Sequence, residues 1–114
     1  MSEATHIDAA FIDPSKIRDY LLSVSHPIGR FKALFFMRLG YDQENWVDLE
    51  RDILELVRRE EATIERDTPY GRKFRVCGIL RGPSGVKAEV VTIWIVLTKE
   101  GLPRFITAFR GGSR

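Results

Sequence analysis

The sequence predicts an α+β domain in which three N-terminal helices pack on a four-stranded antiparallel meander sheet. Two observations lead to this prediction. Apolar residues before about position 60 recur at the three- and four-residue spacing of amphipathic helices, whereas after it they alternate as they do in β-strands. Short turns join the later segments, and short connections impose antiparallel neighbours.

Length and composition indicate one domain. A chain of 114 residues with 44% hydrophobic residues has the usual size and composition of a single globular unit. We expect a leader over residues 1–11, a helical half over 12–61, an antiparallel sheet over 62–110 and a frayed tail over 111–114. The N-terminus lacks the blocks of a signal peptide, and the lone Cys77 requires no oxidising compartment. The expected location is therefore cytoplasmic.

Each helix is predicted from its start signal and its apolar spacing. Asp13 and Pro14 are typical of a first helix, which we expect to run to about Leu22. A second helix is expected to begin at His26 and to end at Gly40. Its broad apolar face is predicted to lie at the centre of the core and comprises Ile28, Phe31, Leu34, Phe35 and Leu39. The clearest helix is the third, whose buried stripe is predicted to contain Trp46, Leu49, Ile53, Leu56 and Val57.

Four strands are expected over residues 62–67, 72–80, 86–98 and 104–110. Turn residues rich in Gly and Pro separate the first three of them, at 68–71 and 82–85, and a third turn follows at 99–101. The third strand is apolar on both faces. A strand of this kind belongs inside a sheet and not at its edge.

Charge divides the chain into two parts. Residues 1–70 hold 9 Lys and Arg against 14 Asp and Glu, whereas residues 71–114 hold 9 against only Glu89 and Glu100. Such an asymmetry predicts an acidic partner for the second part, either nucleic acid or an acidic protein. The alternative is that the two parts offset each other across the fold.

No metal or cofactor site is expected. His6 and His26 have no Cys or carboxylate at the spacing of zinc ligands. Neither the GxxxxGK[ST] loop nor a GxGxxG turn after a strand occurs, which argues against the common nucleotide-binding folds.

His26 is the first candidate for chemistry. At the start of a helix the free amides and the positive end of the dipole can hold a phosphate, and Arg30 and Lys32 follow closely. A histidine beside such cations can serve as a general base. The alternative is that His26 caps the helix and that both cations are surface charges. Gly29 and Ala33, one turn apart, would let a strand, a helix or a ligand approach closely.

Basic residues alternate with aromatic residues on the second and fourth strands. The basic residues include Lys73, Arg75 and Arg104, and the aromatic ones are Phe74, Phe105 and Phe109. RNA-binding sheets use such cations for phosphates and such rings for bases. The alternative is that the phenylalanines belong to the core. Thr92 and Thr107 offer hydroxyl donors for a phosphoryl oxygen, although threonine is also an ordinary strand residue.

Residues 20–41 resemble a bacterial domain family of unknown function, whose pattern is YLLs-x-x-HP-x-GR-x-KA-x-FF-x-x-LGy. The later parts of the family pattern match the TPYG turn at 68–71, the G-x-x-G hairpin at 82–85, the T-x-WI strand at 92–95 and a final TA pair at 107–108. The family pattern ends in Tyr-Pro, where this chain has Phe109 and Arg110. If that tyrosine takes part in the reaction of the family, this chain lacks one of the reacting groups.

The layout of the family is similar to that of the barnase–EndoU–colicin–RelE group of small metal-independent ribonucleases, many of which are toxins. The resemblance implies that a ribose 2′-hydroxyl attacks the adjacent phosphate, with His26 as the general base. Trp94 would stack on a nucleobase or form a wall of the site. Lys73 and Arg104 are further substrate-binding candidates, and the catalytic candidates are His26, Arg30, Lys32, Arg75, Thr92 and Thr107.

Two alternatives to an enzyme remain open. One is a non-catalytic module that binds nucleic acid or an acidic protein through the basic sheet. The other is an inert partner of another small protein, which it would contact through its acidic helices.

Overall fold

The computed structural model describes residues 7–99 and 101–112. Helix α1 (Pro14–Lys16) continues as a π-helical turn (Ile17–Leu21) and is followed by α2 (Arg30–Arg38) and α3 (Trp46–Arg59). The strands are β1 (Ala62–Asp67), β2 (Gly71–Arg81), β3 (Lys87–Leu97) and β4 (Arg104–Arg110). The predicted α+β class, with three helices before a four-stranded antiparallel sheet, is confirmed.

The sheet is a meander with the strand order β1-β2-β3-β4, and every pair is antiparallel. Strands β2 and β3 pair along their full length, which confirms that the third strand lies inside the sheet. In one row across the sheet, Arg75 lies opposite Ile93 and Ile93 lies opposite Thr107. These three side chains therefore share one face of the sheet.

The other face of the sheet forms the core with the helices. It contributes buried side chains that include Phe74, Val76, Val90, Trp94, Phe105 and Ala108. Helix α3 packs on this face, because a Cβ at Gly78 of β2 would meet Leu56 and Glu60 at the end of α3. The α3 stripe of Leu49, Ile53, Leu56 and Val57 is buried as predicted, whereas Trp46 is only partly buried.

The first helix begins as predicted, since a carboxylate oxygen of Asp13 accepts the amide of Ser15 at 3.0 Å. Beyond Lys16 the chain widens into the π-helical turn, in which Ile17 and Leu21 are fully buried. The described part of the leader is docked: Phe11 forms a parallel bridge with Arg104 of β4. The rest of the leader, residues 1–6, and the end of the predicted tail, residues 113–114, lie outside the described residues.

Helix α2 corrects part of the predicted core face. Leu39 is buried in the core and Phe35 packs against it, as predicted. Ile28, Phe31 and Leu34 instead expose 66%, 66% and 56% of their surface, while the buried residues of the helix are Ala33 and Phe36. The reason is the Gly29–Ala33 strip, which packs against the first helix: a Cβ at Gly29 would overlap the carbonyl oxygen of Tyr20. The helix also begins at Arg30, later than predicted, although it ends as expected before Gly40, whose φ is 104°.

No helix among residues 7–99 and 101–112 is long and apolar enough to cross a membrane.

Candidate functional site

Three polar side chains from separate elements meet beside α2. The ammonium nitrogen of Lys32 donates to the hydroxyl oxygen of Tyr20 at 2.7 Å and to Oγ1 of Thr107 at 3.3 Å. The hydroxyls of Tyr20 and Thr107 are themselves 3.4 Å apart. All three side chains are partly exposed, so the cluster is accessible to a ligand. We refer to Tyr20, Lys32 and Thr107 as the Tyr–Lys–Thr cluster.

The backbone brings these residues together in three ways. Tyr20 lies in the π-helical turn, which its buried neighbours Ile17 and Leu21 anchor in the core. Gly29 allows this turn to approach α2, which carries Lys32. Thr107 comes from β4, on the sheet face that also carries Ile93. A π-helical turn frequently marks a functional site, and here it carries the hydroxyl on which the cluster is centred.

The environment of Tyr20 favours its ionised form. Burial opposes ionisation, but the hydrogen bonds from Lys32 and Thr107 and the positive charges of Lys32 and Lys16 outweigh it. The pKa of Tyr20 is therefore lowered from its ordinary value of 10.0. A tyrosine held in this way loses its proton at a lower pH than an isolated one.

His26 lies beside the cluster and caps the start of the α2 segment. Its Nδ1 accepts the amides of Ile28 and Gly29, both at 3.0 Å, and its ring meets the Tyr20 ring edge-on at 5.1 Å between centroids. Because Nδ1 is an acceptor, the neutral imidazole carries its proton on Nε2. This geometry leaves no lone pair on His26 for removing a proton. The imidazole can therefore donate a hydrogen bond to a ligand but is not placed to act as the base.

A groove of about 410 Å³ lies between α2 and β4 and includes the Lys32 side of the cluster. Its residues are three aromatic rings, one leucine and three cations: Phe31, Phe35, Phe109, Leu34, Lys32, Arg38 and Arg110. The lining contains no carboxylate. Helix α2 thus belongs to the basic surface, although it lies in the half of the chain that is acidic in total; residues 20–41 contain three cations and no Asp or Glu.

The remaining cationic candidates lie apart from the cluster. Arg30 is exposed and stacks on Phe31, with its guanidinium carbon 4.8 Å from the ring centroid. Arg75 shares the sheet face of Thr107 but lies two strands away, where Glu65 accepts from its guanidinium at 2.8 Å. Lys73 and Arg104 flank Ile95 in the next row of the same face.

Thr92 and Trp94 lie in the core and are both fully buried. Oγ1 of Thr92 donates to the carbonyl of Val76 at 2.8 Å and accepts from the Trp94 indole at 2.7 Å. These two bonds satisfy both polar groups. Neither side chain reaches solvent, so neither can contact a ligand bound at the cluster.

The sequence does not single out the residue on which the cluster is centred. Its spacing places Tyr20 in the apolar stripe of the first helix, and no pattern selects Arg38 as a ligand contact. Arg110 belongs to the alternating pattern of the fourth strand but is not distinguished within it. Among the aromatic candidates, Phe74 and Phe105 are core residues, and only Phe109 lines the groove. The useful signal is the Gly29–Ala33 strip, since it marks where the first helix approaches α2.

Comparison with solved structures shows a shared fold. A chain of the contact-dependent growth inhibition toxin–immunity protein complex from Klebsiella pneumoniae 342 superimposes with a TM-score of 0.69 at 21% sequence identity. The match covers 88% of the present chain and 98% of that chain. No curated protein matches the sequence. A family model does match residues 4–112, and the chain therefore belongs to the family described as domain of unknown function DUF6883.

Proposed function

We propose that this chain is a metal-independent endoribonuclease domain of the toxin type, with its reaction centre at the Tyr–Lys–Thr cluster. One observation carries the proposal: the Lys32 ammonium lies 2.7 Å from the Tyr20 hydroxyl, at a groove lined by cations and aromatic rings. The cluster supplies a cation, a hydroxyl of lowered pKa and a second hydroxyl. These groups are sufficient for acid–base cleavage of the RNA backbone beside a ribose 2′-hydroxyl.

Tyr20 and Lys32 act in this proposal as a base and an acid that regenerate each other. The Tyr20 phenolate takes the 2′-hydroxyl proton, the 2′-oxygen bonds to phosphorus, and the bond from phosphorus to the 5′-oxygen breaks. Lys32 gives a proton to the departing 5′-oxygen. A proton then passes from the Tyr20 hydroxyl to the Lys32 amine along their 2.7 Å hydrogen bond, which restores both groups. The product ends in a 2′,3′-cyclic phosphate.

The surrounding groups stabilise the charge that develops on the phosphate. The Lys32 ammonium and the Thr107 hydroxyl donate to its oxygens, where preformed donors are most effective. His26 holds the Tyr20 ring and offers its Nε2 proton as a further donor. No step requires a metal ion.

The groove serves in the proposal as the binding site for RNA on either side of the cleaved bond. Arg38 and Arg110 would contact flanking phosphates, and Phe31, Phe35 and Phe109 would stack on unpaired bases. The family departure at the end of β4 fits this role, because Phe109 keeps an aromatic ring in the groove and Arg110 adds a cation.

The fold comparison supports a protein partner for this chain. The Klebsiella chain belongs to a complex of a toxin with its immunity protein. The toxin-type assignment is supported by the helices-then-sheet layout, which is similar to that of the barnase–EndoU–colicin–RelE group of ribonucleases. We infer that the present chain is neutralised by a protein that binds it.

The test is cleavage of end-labelled mixed RNA in excess EDTA by the wild type, Lys32→Met and the control Lys87→Met, which removes an exposed lysine at the start of β3. We expect Lys32→Met to lower the rate by about 100-fold or more, the usual scale for losing an acid–base group. The control should stay within about twofold. No cleavage by the wild type, or equal rates for the wild type and Lys32→Met, would contradict the assignment.

A non-catalytic RNA-binding module is the second candidate, because the three groove cations have no carboxylate partner among the described residues. It predicts that RNA is retained at low salt, that binding weakens steeply as salt rises and that no product forms.

A further inference from the structure

Large apolar side chains are exposed on α2 and on the turn that precedes it. Ile28 and Phe31 each expose 66% of their surface and Leu34 exposes 56%. Single exposed apolar residues are ordinary, but a group of large ones on neighbouring turns marks a surface that binds something. We call Ile28, Phe31 and Leu34 the α2 patch.

Positive charge surrounds this patch. Arg30 stacks on Phe31, and Lys32, Arg38 and Arg110 line the adjoining groove. Within residues 7–99 and 101–112, the six ion pairs all lie elsewhere, in the π-helical turn, in and beside α3, and on β1 and β2, and none involves these four cations. An occupant of the patch must therefore supply negative charge as well as apolar side chains.

Two other occupants fit this surface less well. RNA would use the cations and the rings, but it has no group that gains from burying the aliphatic side chains of Ile28 and Leu34. A second copy docked through the same surface would place cations against cations, because a twofold interface brings identical patches together.

We propose that the α2 patch is the docking site for an acidic amphipathic helix of a partner protein. Its apolar side chains would pack on Phe31 and Leu34 and enter the groove, while its Asp and Glu residues would face Arg38 and Arg110. Such a helix would cover the opening to Lys32. The consequence that it inhibits RNA cleavage rests on the proposed ribonuclease function, whereas the docking itself does not.

Binding is tested by fluorescence anisotropy with a labelled synthetic peptide of about 14 residues, whose helix would be about 20 Å long. It carries Leu at the i, i+3, i+4 and i+7 positions and Glu on both flanks. A lactam bridge on its outer side is needed because isolated short helices are marginally stable in water. The control peptide has Lys in place of every Glu. No RNA is present, so this measurement is independent of cleavage.

Leu34→Ser removes the apolar anchor and Arg38→Glu reverses the charge, so either variant tests the site if the other fails to fold. The matched control is Ile64→Ser on β1, because Ile64 has the same 56% exposure as Leu34. We expect the acidic peptide to bind the wild type and Ile64→Ser equally and to bind Leu34→Ser and Arg38→Glu at least 10-fold more weakly. The Lys peptide should bind the wild type at least 10-fold more weakly than the Glu peptide.

The proposal is overturned if the acidic peptide does not bind the wild type, or if Leu34→Ser and Ile64→Ser bind it alike. It is also overturned if Leu34→Ser weakens the binding of an oligouridine of about ten nucleotides but not the binding of the peptide, because the patch then binds RNA. A wild type that binds the peptide but cleaves no RNA would contradict the ribonuclease proposal and support this one.

Discussion

The ammonium nitrogen of Lys32 lies 2.7 Å from the hydroxyl oxygen of Tyr20, although the two residues are 12 positions apart on different helical segments. Thr107, which is 87 positions from Tyr20, completes the cluster from the last strand. The contact pairs a strong donor with a phenol, and it lowers the pKa of that phenol despite its partial burial. The proposed cleavage mechanism depends on this pair.

The lowered pKa of Tyr20 gives a direct spectroscopic prediction. Tyrosinate absorbance near 295 nm should begin to rise below the ordinary tyrosine pKa of 10.0, and Tyr20→Phe should remove that early component. Cleavage should rise with pH over the same range, because the phenolate is the base. An unchanged titration curve in Tyr20→Phe would show that Tyr20 is not the early-titrating group.

The pKa of Tyr41 is shifted in the opposite direction to that of Tyr20, and this shift predicts how stability changes with pH. It is fully buried and its hydroxyl donates to Asp52 at 2.5 Å, and burial followed by this bond raises its pKa above 10.0. A raised pKa stabilises the fold below pH 10.0, and the stabilisation is lost as pH rises further. Urea unfolding should show Tyr41→Phe to be less stable at neutral pH by about 1–2 kcal/mol. The difference from the wild type should shrink above about pH 10; a constant difference would argue against the assignment.

Gly29→Ala should disturb the cluster through the backbone. The added Cβ would overlap the Tyr20 carbonyl oxygen, so the π-helical turn must move away from α2. We expect a loss of about 1–3 kcal/mol in thermal or urea unfolding and reduced cleavage. The control is Gly101→Ala, whose Cβ would have no neighbour within 4 Å. Equal stability of the two variants would mean that the close approach is not required.

His26→Asn separates the capping role of His26 from that of its ring. Asparagine is a good cap, so the amides of Ile28 and Gly29 keep an acceptor and stability should change by less than about 0.5 kcal/mol. Cleavage should still fall by about 10-fold or more, because the Nε2 donor and the contact with Tyr20 are lost. His26→Ala should lose both stability and activity. Full activity in the asparagine variant would show that His26 acts only as a cap and that its ring takes no part in cleavage.

The sheet is predictable from the sequence because its signals are local. Alternating apolar residues mark β1 and β4 at their observed bounds, and the turns at 68–71 and 82–85 define the hairpins. Two-sided apolarity places β3 inside the sheet. The cap at Asp13 and the C′ glycine at Gly40 are also predictable from the sequence, because each depends on a single residue type in a single conformation.

The orientation of α2 is not predictable in this way. Periodicity identifies an apolar stripe, but it does not show whether that stripe faces the core or a partner. Here the small residues Gly29 and Ala33 face the first helix, and the apolar stripe containing Phe31 and Leu34 is left exposed. The cluster is hidden for a related reason. Its three residues come from distant positions, and no local pattern indicates that they meet.

The most direct test of the proposed acid–base pair is a double-mutant cycle on cleavage with Tyr20→Phe, Lys32→Met and the combined variant. If the two residues act as one unit, each single change should cost about 100-fold or more, and the double variant should be no slower than the slower single variant. The pairing would be contradicted if the losses of rate in the two single variants multiply in the double variant, or if Tyr20→Phe cleaves as fast as the wild type.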